Sequence, residues 1–313
     1  MDLKSALPFC RVGELERRHD TSWLIESLWL NQAAGIIGGQ PKCCKSWLGI
    51  DMAVSVASGT PCLGHFSVKS PGPTLVYLAE DALPEVRLRV EGICRSRKIS
   101  IDTLDLTVIT APVLRLDVER DQERLWNAVD TVKPRLLLLD PLVRLHRLDE
   151  NNSRDIAGIL GFLREIQRKF AVAVVLAHHS SKRASSRPGQ GLRGSSDLHA
   201  FGDSNLYLTR DSDQLKLTVE HRSAAAIDPT YLELLTGDDV HLAIAGAAPM
   251  KSAPPAATIE ERILNHLTDR GQPVNRNSLR NDLKVNNQRF GLALTTLLAN
   301  GRVTASSDGI SLT

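Results

Sequence analysis

No apolar run in this 313-residue chain approaches the ~18 residues of a membrane-spanning helix. Residues 1–30 also lack the charged start and apolar stretch of a secretory signal, so the expectation is a cytosolic chain with no membrane association. Cysteine is sparse: five residues, two of them adjacent, form neither a disulfide framework nor a metal-ligand spacing. Reduced thiols fit a cytosolic setting. Charge of one sign is missing too, because 38 Lys and Arg against 36 Asp and Glu leave a net +2. That balance announces no nucleic-acid partner, and any such binding has to come from local patches. What is present is an ordinary 42% apolar share and enough length for one large domain plus a small one.

The most informative segment is Gly39-Gln40-Pro41-Lys42-Cys43-Cys44-Lys45-Ser46. It matches a phosphate-binding loop at its first Gly, its Lys and its Ser, with Cys44 where the second Gly belongs. In such a loop backbone N–H groups wrap the α- and β-phosphates, the ammonium reaches the β- and γ-phosphates and the hydroxyl meets Mg²⁺. An apolar strand, 33–38, precedes it, and a small-residue helix from Trp47 to Gly59 follows it. The phosphate then sits at a helix N-terminus, where free N–H groups and the dipole favour anions. The nucleotide contacts expected are Gly39, Gln40, Pro41, Lys42, Cys43, Cys44, Lys45, Ser46 and Trp47. Cys44 leaves two outcomes open. A Cβ at a strained backbone position would weaken binding; an ordinary φ would leave the N–H aimed inward and the site intact. A thiol at a helix N-terminus is also expected to deprotonate easily, making Cys43 or Cys44 sensitive to alkylation.

Strands and helices alternate downstream, the pattern of a mostly parallel α/β sheet. Pro73–Ala79 reads as a buried strand ending at Glu80-Asp81, Arg135–Leu139 as another ending on Asp140, and Val172–Ala177 as a third ending at His178-His179. The carboxyl ends of such strands are where open α/β sheets bind ligands. Asp140 is therefore expected to hold Mg²⁺ beside Ser46, and Glu80 to orient and deprotonate the attacking water. The adjacent His178 and His179 are not read as a metal pair, because successive strand residues point to opposite faces and no third ligand is evident.

In order, these motifs make the segment 23–235 resemble the RecA-type ATPases, and most of all the plasmid RepA and DnaB branch of hexameric replicative helicases. Leu75–Asp81 resembles that family's catalytic-Glu strand, Leu139–Leu142 its Mg²⁺ strand, and Leu176–Lys182 its nucleotide sensor. Gly191–Asp197, Asp203 and Leu206–Arg210 resemble later stretches of the helicase core. The resemblance implies a ring, hexameric for preference, that binds ATP between subunits. It makes His178 the γ-phosphate sensor, with His179 the alternative, and Arg222 the finger that reaches a neighbour's nucleotide. Glu220 stands where the family's K-x-R pair has Lys, so only half of that pair carries over. The basic Ser/Gly-rich loop 180–193 corresponds to a channel loop that grips single-stranded DNA, with Lys182, Arg183, Arg187 and Arg193 on phosphates. Having no aromatic, it suits a backbone grip rather than base reading.

Residues 243–257 are Ala- and Pro-rich and read as a linker. Beyond it, three helices near 258–267, 276–283 and 287–299 and a hairpin over 302–312 resemble a winged helix. Arg276, Arg280, Lys284 and Arg289 are its candidate DNA-backbone contacts, although the third helix is unusually apolar for a recognition helix. The expected organisation is an N-terminal arm (1–21), a RecA-like α/β ATPase domain (22–242), the linker and a winged helix (258–313). The expected activity is ATP hydrolysis coupled to helicase or translocase work, alongside replication or initiator proteins. The alternative is an ATP-switched DNA-binding regulator or assembly factor without unwinding, its site weakened by Cys44.

Overall fold

The computed structural model describes residues 9–15, 22–150, 153–179, 196–211, 214–237, 239–246, 258–283, 285–306 and 309–313. A short hairpin, β1 (Trp23–Ile25) and β2 (Trp29–Leu30), leads into β3 (Ala34–Gly39), the loop and α1 (Lys45–Ser58). Then follow β4 (Thr74–Leu78), α2 (Leu83–Ser96), β5 (Leu106–Val108), α3 (Glu119–Val132), β6 (Leu136–Asp140), α4 (Ser153–Phe170) and β7 (Ala173–His179). After α5 (Ser196–Phe201) the chain turns to antiparallel pairing through β8 (Ser204–Asp211), β9 (Gln214–His221), β10 (Thr230–Leu235) and β11 (His241–Ile244).

All but the first hairpin of these strands join one nine-stranded sheet in the order β11-β10-β9-β8-β3-β7-β6-β4-β5. From β8 to β5 every neighbouring pair is parallel. Strand alternation sends residues to two cores. Ile37, Val76, Leu78, Leu138 and Val175 pack with α1 and α2. Ile36, Tyr77, Leu137, Leu139, Val174 and Leu176 pack with α3 and α4. Helix α1 is buried nearly all round because its small side chains let it lie close to the sheet, and it ends at Gly59 with φ 75°, whose N–H caps Ser55 O. Two glycines of β3 are dictated by β8: a Cβ on Gly35 would lie 1.7 Å from Ser204 O, and one on Gly39 2.6 Å from Leu208 O.

The C-terminal unit consists of α6 (Ile259–Arg270), α7 (Arg276–Leu283), α8 (Asn287–Ala299) and the hairpin β12 (Val303–Ser306) and β13 (Gly309–Leu312). It has a separate core that includes Ile263, Leu279, Phe290, Leu294 and Ile310. Thr258 and Glu261 form the expected reciprocal capping box at 3.1 and 2.8 Å. The sheet is wider than its motifs indicated: β10 and β11 carried no sequence signal that was read, and β7 runs on through both histidines rather than ending before them. Among the described residues no helix is long and apolar enough to cross a membrane.

Candidate nucleotide-binding site

The strand order brings β3, β7, β6 and β4 side by side, so the phosphate loop, His178-His179, Asp140 and Glu80 all lie along one edge of the sheet. Gly39 pairs with His179 across β3–β7, and Leu78 with Asp140 across β4–β6. By alternation Asp140 falls on the α1 face with Leu136 and Leu138, and His179 on that same face with Ala173 and Val175. His178 shares the opposite face with Val174 and Leu176. His178 was the first choice as sensor; the alternation assigns the face toward α1 to His179 instead.

In the loop Lys45 is buried, and its ammonium donates to Gly39 O at 3.1 Å and Gln40 O at 2.9 Å. Cys44 is the N-cap of α1 with φ 63° and ψ 24°. This is the left-handed region that glycine adopts freely, so the substitution leaves the loop's shape and loads a side chain onto it. Lys42, at φ 64°, is a second such residue. Relief of the strain, offset by glycine's freer unfolded chain, is expected to make Cys44→Gly about 0.5–1 kcal/mol more stable. Cys44→Ala, which keeps the Cβ, gains nothing; urea unfolding of both variants separates the two. The thiol expectation is corrected: burial pushes both Cys43 and Cys44 above the usual thiol range, and the positive field of Lys45 and Arg210 only partly opposes it.

Asp140 is 5% exposed, and its Oδ2 has no hydrogen-bond partner among the described residues. Burial pushes its carboxyl up to about 6, against the hydrogen bond from Ser46 and the charge of Lys45, which favour the anion. A buried carboxylate with a spare oxygen beside a serine hydroxyl fits an oxygen-seeking divalent cation such as Mg²⁺. The shift has a sign for stability. The folded protein holds this proton more tightly than the unfolded chain, so the fold is stabilised at low pH and loses that stability as pH rises from 3.8 through about 6. At pH 7.5 the loss is about 3 kcal/mol by linkage. Asp140→Asn is therefore expected to raise thermal stability at pH 7.5, with little change at pH 4, while abolishing Mg²⁺-dependent nucleotide binding. Calorimetry at the two pH values and titration with Mg²⁺-nucleotide check both halves.

Glu80 lies just past β4, its side chain 44% exposed, and accepts from Arg144 Nε at 2.7 Å. Arg144, on the turn after β6, was not singled out in the sequence. Asp81 receives a two-pronged bond from Arg89 at 2.7 and 2.8 Å, and that guanidinium stands 5.4 Å over the ring of Trp47. Arg89 and Arg210 both act on the Cys44 thiol, which puts two cations beside the loop that no motif had assigned there.

Arg222 follows β9, with half its side chain exposed; it pairs with Asp203 at 3.3 Å and donates to Ala200 O. Glu220, in the place of the family's Lys, meets His199 Nε2 at 3.0 Å. Lys182, Arg183, Arg187, Arg193 and Lys284 lie outside the described residues. Arg276 is exposed, and Arg280 donates to Asn281. Arg289 does not stand free for a phosphate: it holds Asp105 at 2.6 Å and Leu104 O at 2.5 Å at the β5 edge of the large sheet. Helix α8 turns Phe290, Ala293, Leu294 and Leu297 into its own core, which accounts for its apolar sequence.

Residues 6–185, more than half the chain and including the loop and all four strand ends, match the AAA domain family. The chain belongs to that family. Its AAA domain also has the fold of solved structures at 15% identity. One is a separately solved ATPase domain, with a TM-score of 0.51 over 66% of this chain and 82% of the other. Another is a DnaB-like replicative helicase described with its interactions with primase, with a TM-score of 0.54 over 68% of this chain. This chain spans 57% of that helicase chain. The architecture of the AAA domain is thus α/β and RecA-like, with a large, mostly parallel central sheet.

Proposed function

We propose that this protein is an ATP-hydrolysing motor of the replicative-helicase type that works on nucleic acid as part of a ring. The observation that carries the reading is the convergence of the loop with Lys45 and Ser46, Asp140, Glu80 and His179 on adjacent strand ends of one sheet, with Asp140 and His179 on its α1 face by strand alternation. Lys45 exchanges its carbonyl partners for the β- and γ-phosphates, and the loop N–H groups from Gly39 onward surround the anion. Ser46 and Asp140 would hold Mg²⁺, which would neutralise charge on the phosphates. Glu80, oriented by Arg144, takes the proton of the attacking water. Arg222 is the finger for a neighbouring subunit, and the cations of loop 180–193 are the grip on single-stranded DNA. The three helices and hairpin of the C-terminal unit are a winged helix, and the setting is the cytoplasm.

A second reading, an ATP-switched regulator or assembly factor without unwinding, is supported by the strained Cys44 and by Arg222 being tied to its own chain at Asp203. One experiment separates them. The motor reading expects ATP turnover stimulated by single-stranded DNA and displacement of a paired strand; nucleotide binding with neither sinks it in favour of the switch.

A further inference from the structure

Behind the nucleotide edge, on the α3–α4 side of the sheet, a glutamate sits between two buried histidines. Glu150 Oε1 is 3.7 Å from His146 Nε2 and 3.8 Å from His178 Nδ1, and both imidazoles are 1% exposed. His146 is fixed in orientation. Its Nδ1 accepts the N–H of Leu148 at 3.2 Å, which leaves Nε2 as the protonated nitrogen facing Glu150. The segment carrying it is fastened from outside: Leu116 N donates to Leu145 O at 2.6 Å, and Arg115 donates to the carbonyls of Arg144 and His146. At these separations neither contact is a hydrogen bond; the carboxylate lies between the turn that follows the Asp140 strand and the last residues of β7, one residue before His179, and acts on both rings through its charge. Among the described residues no group of three or more acidic, His or Cys side chains is arranged to hold a metal ion.

We propose that Glu150, braced by His146, is a positioning residue: through His178 it holds the end of β7 so that His179 faces the phosphate site. The inference rests on the assignment of His179 as sensor. Two residues on adjacent β7 positions face opposite sides, so an anchor on His178 sets the direction of its neighbour through the backbone. It also acts through the field. Burial, Lys45 and His178 lower the His179 pKa, whereas Glu80 and Glu150 raise it, so Glu150 favours the charged ring.

The test uses Glu150→Gln, which keeps shape and removes charge, with Glu150→Asp as the conservative comparison. Histidine side-chain NMR titration of the full chain without nucleotide, with the His179 signal identified by its loss in His179→Gln, is expected to show a lower His179 pKa in Glu150→Gln. Steady-state turnover is expected to fall about tenfold with the KM for ATP within about twofold, as for misorientation rather than lost binding. Glu150→Asp should recover part of both. An unchanged His179 titration and unchanged turnover in a folded Glu150→Gln protein overturn the proposal. A shifted titration in a chain whose wild type hydrolyses no ATP overturns the ATPase reading and leaves the Glu150 coupling standing.

Discussion

Glu80→Gln is expected to lower ATP turnover by about 10²–10⁴-fold while leaving nucleotide affinity within about twofold, the signature of a lost general base. Glu80 belongs to neither the loop nor the Asp140–Ser46 pair, and its charge is the smallest of the influences on Asp140, so ground-state binding depends little on it. Gln keeps the length and still accepts from Arg144, but it takes no proton at neutral pH. The pair with Arg144 is exposed at both ends, with 60% and 44% of the side chains accessible, and contributes little to stability. Equal unfolding midpoints for variant and wild type are therefore part of the expected result. A loss of ATP affinity equal to the loss of turnover would instead assign Glu80 to binding.

Breaking the ion pair between Asp51 and Arg97 is expected to destabilise the large domain by about 3–5 kcal/mol, the range for an uncompensated buried charge. Asp51, on the inner side of α1, is completely buried; its carboxylate accepts from Arg97 Nη2 at 2.5 Å and from Leu63 N–H at 2.8 Å. Arg97 Nη1 reaches Ser55 Oγ at 2.8 Å and Thr60 Oγ1 at 3.1 Å. One guanidinium thereby ties the end of α2 to the helix that carries Lys45 and Ser46 and to the segment after it. Asp51→Ala strands both the guanidinium and the Leu63 N–H. The double variant Asp51→Leu/Arg97→Met removes both charges together and should recover much of the loss. Urea unfolding of the single and double variants, read as a cycle, measures the coupling; a single-variant cost below about 1 kcal/mol would contradict this account.

Local chemistry made the phosphate loop readable: Gly39, Lys45 and Ser46 sit at fixed spacing because one loop and one helix N-terminus must wrap one phosphate group. The strands ending at Glu80, Asp140 and the histidines were readable for a similar reason, since apolar runs that stop on polar groups mark buried strands with ligand-facing ends. The α/β class, the run of α3 over 119–132 and the helices with hairpin at the C-terminal end followed from periodicity and capping residues near one another in the chain. Partners far apart in sequence were beyond that reach. Asp51 and Arg97, 46 positions apart, read as one helical acid and one of several arginines. Arg289 read as a DNA-backbone contact because nothing near it in sequence announces Asp105, 184 positions away. Which histidine faces α1 depended on where β7 ends and on its register against β3, and Cys44's φ on how the loop closes onto α1. Periodicity and spacing are properties of neighbours along the chain; charge pairing, facing direction and left-handed backbone angles arise from strands and helices that meet only once the sheet has assembled.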